Sequence, residues 1–202
     1  MAKLKFTNGW FDTTAKPIWD DMIPKLKPQK ILEVGSFEGA STCYLIQKLS
    51  DRPLELHCID TWDGGIEHQE GASAEHDMNV IKKTFDENMK IVKNPNLDLY
   101  IHQGYSHTKM AKLLVDGYED YFDFIYIDGS HEAPDVLCDA VLGFKLLKLG
   151  GVMVFDDYLW HHGDKSLHFC PKPAIDSFVN LYWRKLEITT SPYQLIIQKT
   201  SN

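Results

Sequence analysis

The chain has 202 residues, 44% hydrophobic and 25% charged, which at roughly 100–200 residues per domain predicts one domain over 1–202 with a proper core. A formal charge of −8, from 29 acids against 21 bases, argues against a nucleic-acid partner, because such proteins present a basic face. No apolar stretch approaches the roughly 20 residues of a membrane-spanning helix, and residues 1–8 lack the apolar run of a secretory signal, so the expected setting is the cytoplasm, away from membranes.

Thr13 and Thr14 ahead of Pro17, followed by Ile18, Trp19, Met22, Ile23 and Leu26, predict a capped helix that Pro24 and Pro28 interrupt or end. Residues 30–35 form a short apolar run closed by glycine, read as a buried strand. A helix over about 39–49 and a strand over 54–60 follow, the strand ending on Asp60. Residues 61–76 are polar, carry Gly64, Gly65 and Gly71, and read as a loop, with a lid as one role. Met78, Ile81, Phe85, Met89 and Val92 share one helix face. A third strand covers 97–102 and another helix about 107–115. Residues 123–128 form a strand ending on Asp128. Ala133, Val136, Leu137, Ala140, Val141, Phe144 and Leu147 predict an amphipathic helix stopped by Gly150-Gly151. A fifth strand, 152–156, ends on Asp156. A loop with His161, His162 and His168, a helix over about 174–183, and an antiparallel hairpin of 186–190 and 193–199 around Ser191-Pro192 complete the chain.

Strand and helix alternate, which predicts an α/β fold: a mostly parallel sheet of seven strands, helices on both faces and an antiparallel hairpin at its C-terminal side. Such sheets bind ligands at the C-terminal ends of their strands, and Asp60, Asp128, Asp156 and Asp157 all fall there. Cys43, Cys58, Cys138 and Cys170 are widely spaced with no C-x-x-C. They read as reduced structural thiols, which suits the cytoplasm. His161, His162, His168 and Cys170 match no zinc template.

The turn after the first strand, Gly35-Ser36-Phe37-Glu38-Gly39, permits close backbone approach and opens a helix N-terminus to an anionic group. Asp60, about 25 residues on, is placed to accept both hydroxyls of a ribose. Phe37 stands where a dinucleotide fingerprint has its second glycine, which disfavours NAD, and no P-loop is present. Glu33 would repel phosphates but suits a ligand bearing an ammonium and a sulfonium, such as S-adenosylmethionine (SAM). At the other strand ends Asp128, Asp156 and Asp157 would repel one another unless a cation sits among them. A hard divalent ion with oxygen ligands fits, Mg²⁺ best.

Glu33-x-Gly35-x-x-x-Gly39-x-Ser41 resembles motif I of the class I SAM-dependent methyltransferases, and the resemblance runs from about Lys30 to Lys199. Within that class the chain is most similar to small metal-dependent O-methyltransferases of the catechol and the macrocin or sugar types. The resemblance implies a Rossmann-like class I methyltransferase fold. It implies that Glu33, Gly35, Ser36, Phe37 and Gly39 shape the methionine end, that Ser41 holds its carboxylate, and that Asp60 takes the ribose, with Thr61 beside it. Gly104, Ser106 and His107 correspond to the segment against adenine. Trp62 lies near ribose or adenine, or packs on the core as a loop aromatic. Asp128 contacts cofactor and metal together, and Asp156 and Asp157 complete the metal set. The final Asp, where the catechol type has Asn, points to the sugar and macrolide branch. His131, in Asp128-Gly129-Ser130-His131, stands where that branch has its proposed base.

The expected reaction is O-methylation of a small-molecule hydroxyl on a sugar, polyol or catechol-like acceptor, with His131 as base. Metal-independent methylation, a non-catalytic SAM-binding protein and an NAD-dependent oxidoreductase are the alternatives. Base-directed N-methylation is disfavoured, because Asp128-Gly129-Ser130-His131 replaces the Asn/Asp-Pro-Pro-Tyr signature. No motif encodes the oligomeric state, with which a homodimer is compatible.

Overall fold

A computed structural model describes residues 3–69, 71–72, 74–161, 166–191 and 193–202. The seven strands are β1 (Lys30–Val34), β2 (Leu54–Asp60), β3 (Leu97–Gln103), β4 (Phe122–Ile127), β5 (Leu147–Phe155), β6 (Leu186–Thr190) and β7 (Leu195–Lys199). They form one sheet in the order β3-β2-β1-β4-β5-β7-β6. The first five are parallel, and β7 pairs antiparallel with both β5 and β6. The order reverses direction between β1 and β4, so a crevice opens at the C-terminal ends of those two strands.

The helices are α1 (Trp10–Thr13), α2 (Lys16–Leu26), α3 (Ala40–Lys48), α4 (Met78–Val92), α5 (Ser106–Val115), α6 (Ala133–Leu146) and α7 (Pro171–Tyr182). Successive strand residues point to opposite faces, and the sheet sorts its apolar side chains accordingly. Ile31, Phe124, Tyr126, Val152 and Val154 join the core under α2, α3 and α4. Leu32, Ile125, Ile127, Met153 and Phe155 join the one under α5, α6 and α7. Because both faces are covered, β1, β4 and most of β5 read as continuous apolar runs rather than alternating ones.

Two boundaries differ from the sequence expectation. The helix expected to end at Gly150-Gly151 stops at Leu146, and β5 begins at Leu147, paired with Phe122. The glycines lie inside the strand, Gly150 at φ +77°, where the register with β4 shifts between Phe122 and Phe124. Glycine here marks a bulge rather than a helix stop. Thr13 and Thr14 do not cap the second helix: both hydroxyls bond back to the Trp10 carbonyl, and Ala15 precedes α2, with Pro17 in its first turn. Pro24 lies within α2 without ending it. The 61–76 loop holds one turn of 3₁₀ helix, Ile66–His68. His162 and Pro192 lie outside the described residues. No helix among the described residues is long and apolar enough to cross a membrane. All four cysteines are free.

Candidate active site at the C-terminal strand ends

Gly35 leaves β1 at φ +88°, and a Cβ there would lie 1.8 Å from the Asp128 carbonyl oxygen. Two constraints, left-handed backbone and contact with the end of β4, thus demand glycine at one position. The turn that follows is braced from β2. Asp60 Oδ2 accepts the N–H of Ser36 and of Phe37, each at 2.8 Å, and its Oδ1 accepts Trp62 N–H at 2.7 Å. Thr61 follows, its hydroxyl accepting Asp63 N–H and its carbonyl accepting Gln103 Nε2. Gly39, at φ +80°, precedes α3 and packs its backbone against Phe85 and Met89 of α4.

Glu33 is fully buried inside this turn. Ser36 and Thr42 donate hydroxyls to its Oε2 at 2.6 and 2.5 Å, and Ser41 donates to Oε1 at 2.6 Å. Burial pushes its pKa up, and the three hydroxyls pull it partly back. In this arrangement Glu33 organises the turn from within, and the Ser41 proton is spent on it. Glu38, also buried, extends the bracing outward: its Oε2 accepts the N–H and hydroxyl of Thr7. Asn88 ties the Glu38 carbonyl to the Lys5 carbonyl through its amide.

Trp62 is 5% exposed, its indole N–H donates to the Phe37 carbonyl, and its ring packs on Phe85. Trp62 thus packs with the core and supports the turn from beneath. On the β3 side, Gly104 (φ +138°) donates its N–H to the Asp60 carbonyl and leads into α5. Ser106 is the first residue of that helix. His107 is exposed and stacks on Tyr105.

The acidic end is built by β4 and β5. Among the described residues, one group of ligand-type side chains has its donor atoms within 4.8 Å of one another: Asp128, His131 and Asp157. His131 Nε2 lies 2.9 Å from Asp157 Oδ2, and Trp160 covers its ring at 4.3 Å between centroids. Asp156, expected in this group, sits behind it with both oxygens engaged. Its Oδ1 accepts Asp157 N–H, and its Oδ2 accepts Gln194 Nε2 and the Tyr126 hydroxyl. Tyr126 also reaches Asp128 Oδ2 at 2.9 Å. Trp19 completes the chain by donating its indole N–H to Gln194 Oε1.

Burial first, then Asp156 and Asp157, hold the Asp128 pKa well above the ordinary carboxylate range; burial and Asp157 raise that of Asp156. A cation among these acids would relieve both effects. The carboxylate oxygens of Asp128 and Asp157 fit a hard divalent ion, with His131 beside them.

Tyr126 and Gln194 escaped the sequence reading, and Trp19 entered it only as a helix residue. Tyr126 had a signal, since it lies two residues before Asp128 on the same strand face. Gln194 had none, because only the antiparallel return of β7 brings it to β5. His168, weighed as a zinc ligand, pairs instead with Glu132 at 2.8 Å.

A family model described as methyltransferase domain matches residues 32–158. A curated relative named "Probable caffeoyl-CoA O-methyltransferase 3", from Dictyostelium discoideum, is 21% identical over 187 residues, 87% of this chain and 65% of its own length. The chain spans 43% and 50% of two further curated relatives. Among solved structures, an O-methyltransferase from Bacillus cereus in complex with SAH is similar at TM-score 0.68 and 16% identity, covering 99% of this chain and 84% of that one. The mycinamycin-pathway methyltransferase MycE, in complex with Mg, SAH and mycinamycin VI, is similar at TM-score 0.62 and 14% identity, covering 98% of this chain and 51% of that one. These structures share the fold: a seven-stranded, mostly parallel sheet with its antiparallel strand pair. With its motif-bearing turn, its topology and a family match across the strands that carry the site, this chain belongs to the methyltransferase-domain family.

Proposed function

We propose that this chain is a SAM-dependent O-methyltransferase that works with a divalent cation, Mg²⁺ fitting best, on the hydroxyl of a small molecule such as a sugar, polyol or catechol. The observation that carries this reading is the contact between the Gly35 backbone and the end of β4. It sets the cofactor turn directly against Asp128, so methyl donor and acceptor would meet at one edge. MycE, crystallised with Mg and SAH, and the Dictyostelium relative, named as an O-methyltransferase, support it.

Asp60 would receive the ribose hydroxyls on lone pairs left over from the three backbone N–H groups it already accepts. Asp128 and Asp157 would supply oxygen ligands, with a free lone pair on Asp156 Oδ1 as a third. A bound divalent cation supplies one piece of chemistry, the lowering of a hydroxyl's pKa. His131 would take the acceptor's proton, and Asp157, whose Oδ2 lies 2.9 Å from Nε2, would stabilise the resulting imidazolium. The acceptor oxygen then displaces the sulfonium in line, forming a C–O bond as the C–S bond breaks. Trp160 shields the imidazole from water. The four free thiols suit a reducing compartment, the cytoplasm.

Calorimetric titration with SAM and S-adenosylhomocysteine, followed by turnover across hydroxyl acceptors with and without EDTA, tests the reading. Binding of both ligands and loss of turnover in EDTA are expected. Failure to bind either ligand overturns the assignment, and full turnover in EDTA removes the cation.

A further inference from the structure

Phe37 of the turn after β1 is covered by two other segments. Trp10, the first residue of α1, packs on it at 5.8 Å between ring centroids, and His68 and His76 of the loop after β2 pack at 5.2 and 5.4 Å. The chain before α1 is anchored at Lys5, whose N–H donates to Asn88 Oδ1 and whose carbonyl accepts Asn88 Nδ2. Between that anchor and Trp10, Thr7 joins both neighbours. Its N–H and hydroxyl donate to Glu38 Oε2 at 2.8 and 3.0 Å, and its hydroxyl lies 3.2 Å from His76 Nε2. Among the described residues, the other oxygen of Glu38 is buried without a hydrogen-bond partner.

Proton counting fixes the state of this chain of bonds. His76 Nδ1 lies 2.7 Å from the Ala74 carbonyl, which can only accept, so Nδ1 carries a hydrogen. A neutral His76 then has a bare Nε2 that needs the Thr7 hydroxyl hydrogen, and Glu38 needs the same hydrogen. A hydroxyl has one. Both contacts are satisfied together only when one further proton is present. Imidazole is a stronger base than a carboxylate, so that proton rests on His76: Nε2–H donates to Thr7, and Thr7 donates to Glu38. The imidazolium then faces the Glu38 carboxylate across one hydroxyl. Of the other titratable groups around it, His68 accepts the Gly65 N–H on Nδ1 and is neutral, its ring 6.1 Å away. Glu75 and Asp77, on either side in sequence, turn to the N–H groups of Gly71 and Asn79.

We propose that His76 is a positioning residue that acts as a proton-dependent latch: as the imidazolium it ties the chain before α1 and the loop after β2 to Glu38, and so holds both over the cofactor turn. The latch is closed while His76 keeps its proton and is released as pH rises through the histidine range. Cofactor exchange is then slow at acid pH and fast at alkaline pH, a consequence that rests on the SAM reading given above.

The test uses the full chain at about pH 5.5 and about pH 8.5, either side of the histidine range. Two rates are read: hydrogen exchange of the backbone from Lys5 to Trp10, corrected for the intrinsic pH dependence of exchange, and dissociation of S-adenosylhomocysteine. Both are expected to be about tenfold faster at the higher pH, the worth of one charge-assisted hydrogen bond. Thr7→Val and His76→Gln, neither at a buried position, should bring that ratio close to one. His68→Gln should keep it. A loss of packing alone would speed opening at both pH values and leave their ratio unchanged. A wild-type ratio near one, or a ratio that survives His76→Gln, overturns the proposal. Should the wild-type chain bind no S-adenosylhomocysteine, the methyltransferase reading falls, and exchange between Lys5 and Trp10 still decides the latch.

Discussion

The Tyr126 hydroxyl lies between Asp128 and Asp156, within hydrogen-bond reach of both carboxylates. A phenol carries one proton, so it can donate to only one of them at a time. The pair is therefore short of donors, and burial drives the pKa of both acids upward, helped by Asp156 and Asp157 at Asp128 and by Asp157 at Asp156. Tyr126→Phe keeps the packing against Trp19 and removes the sole donor shared by the two acids. We expect a stability loss of about 1–3 kcal/mol in EDTA, read as a lower urea midpoint, and a smaller loss in Mg²⁺. An unchanged midpoint in EDTA would show that the bridge carries no weight.

Gly35→Ala is expected to prevent folding. Its Cβ would meet the Asp128 carbonyl at 1.8 Å, and the backbone at φ +88° resists any L side chain. Gly71, also at positive φ but with nothing within 4 Å of an added Cβ, is the control. Gly71→Ala should cost about 1 kcal/mol. Similar far-ultraviolet circular dichroism and melting for the two variants would contradict the close approach.

His131→Ala is expected to lower kcat by about 10²–10⁴ while leaving S-adenosylhomocysteine affinity near that of the wild type. Asp157→Asn should instead weaken Mn²⁺ binding by about tenfold or more, measured by titration without acceptor. A variant pair in which both defects appear as lost cofactor affinity would place these residues in the wrong half of the site.

Stability should fall as pH rises. A carboxyl whose folded pKa exceeds its unfolded one holds its proton more tightly in the native chain. The stability it gives is complete below about pH 4 and is lost as pH rises through the folded value. Burial pushes Asp139 up to about 7, which corresponds to up to about 4 kcal/mol lost between about pH 4 and pH 7. Asp128 and Asp156 act in the same direction. Urea unfolding in EDTA should show this slope, Asp139→Asn should flatten it, and Mg²⁺ should restore stability at the alkaline end. Identical slopes for wild type and Asp139→Asn would sink the assignment.

Much of the fold is legible in the sequence because apolar runs ending on acids mark parallel strands, and those ends share one edge by topology. Asp60, Asp128 and Asp157 could be placed in this way. The partners of each acid could not. That Asp60 would accept the Ser36 and Phe37 N–H groups, or that Asp156 would be held by Gln194, depends on backbone approach and on a strand that returns across the sheet. The Leu146 to Leu147 transition was hidden for a related reason. Helix periodicity ran on into residues whose pairing with Phe122 makes them strand, so tertiary hydrogen bonding overrode local pattern.

Gln194 also sets an order of assembly. It lies just before β7, the last-made strand of the sheet, yet its amide holds Asp156, which closes β5 nearly forty residues earlier in synthesis. A chain still growing on the ribosome can pair β1 to β5 and enclose the cofactor turn before β7 exists. Until Gln194 arrives, Trp19 and Asp156 each lack the partner that links them. The acidic centre is thus finished later than the turn beside it, and an incomplete chain would carry the cofactor half of the site without a settled place for a cation.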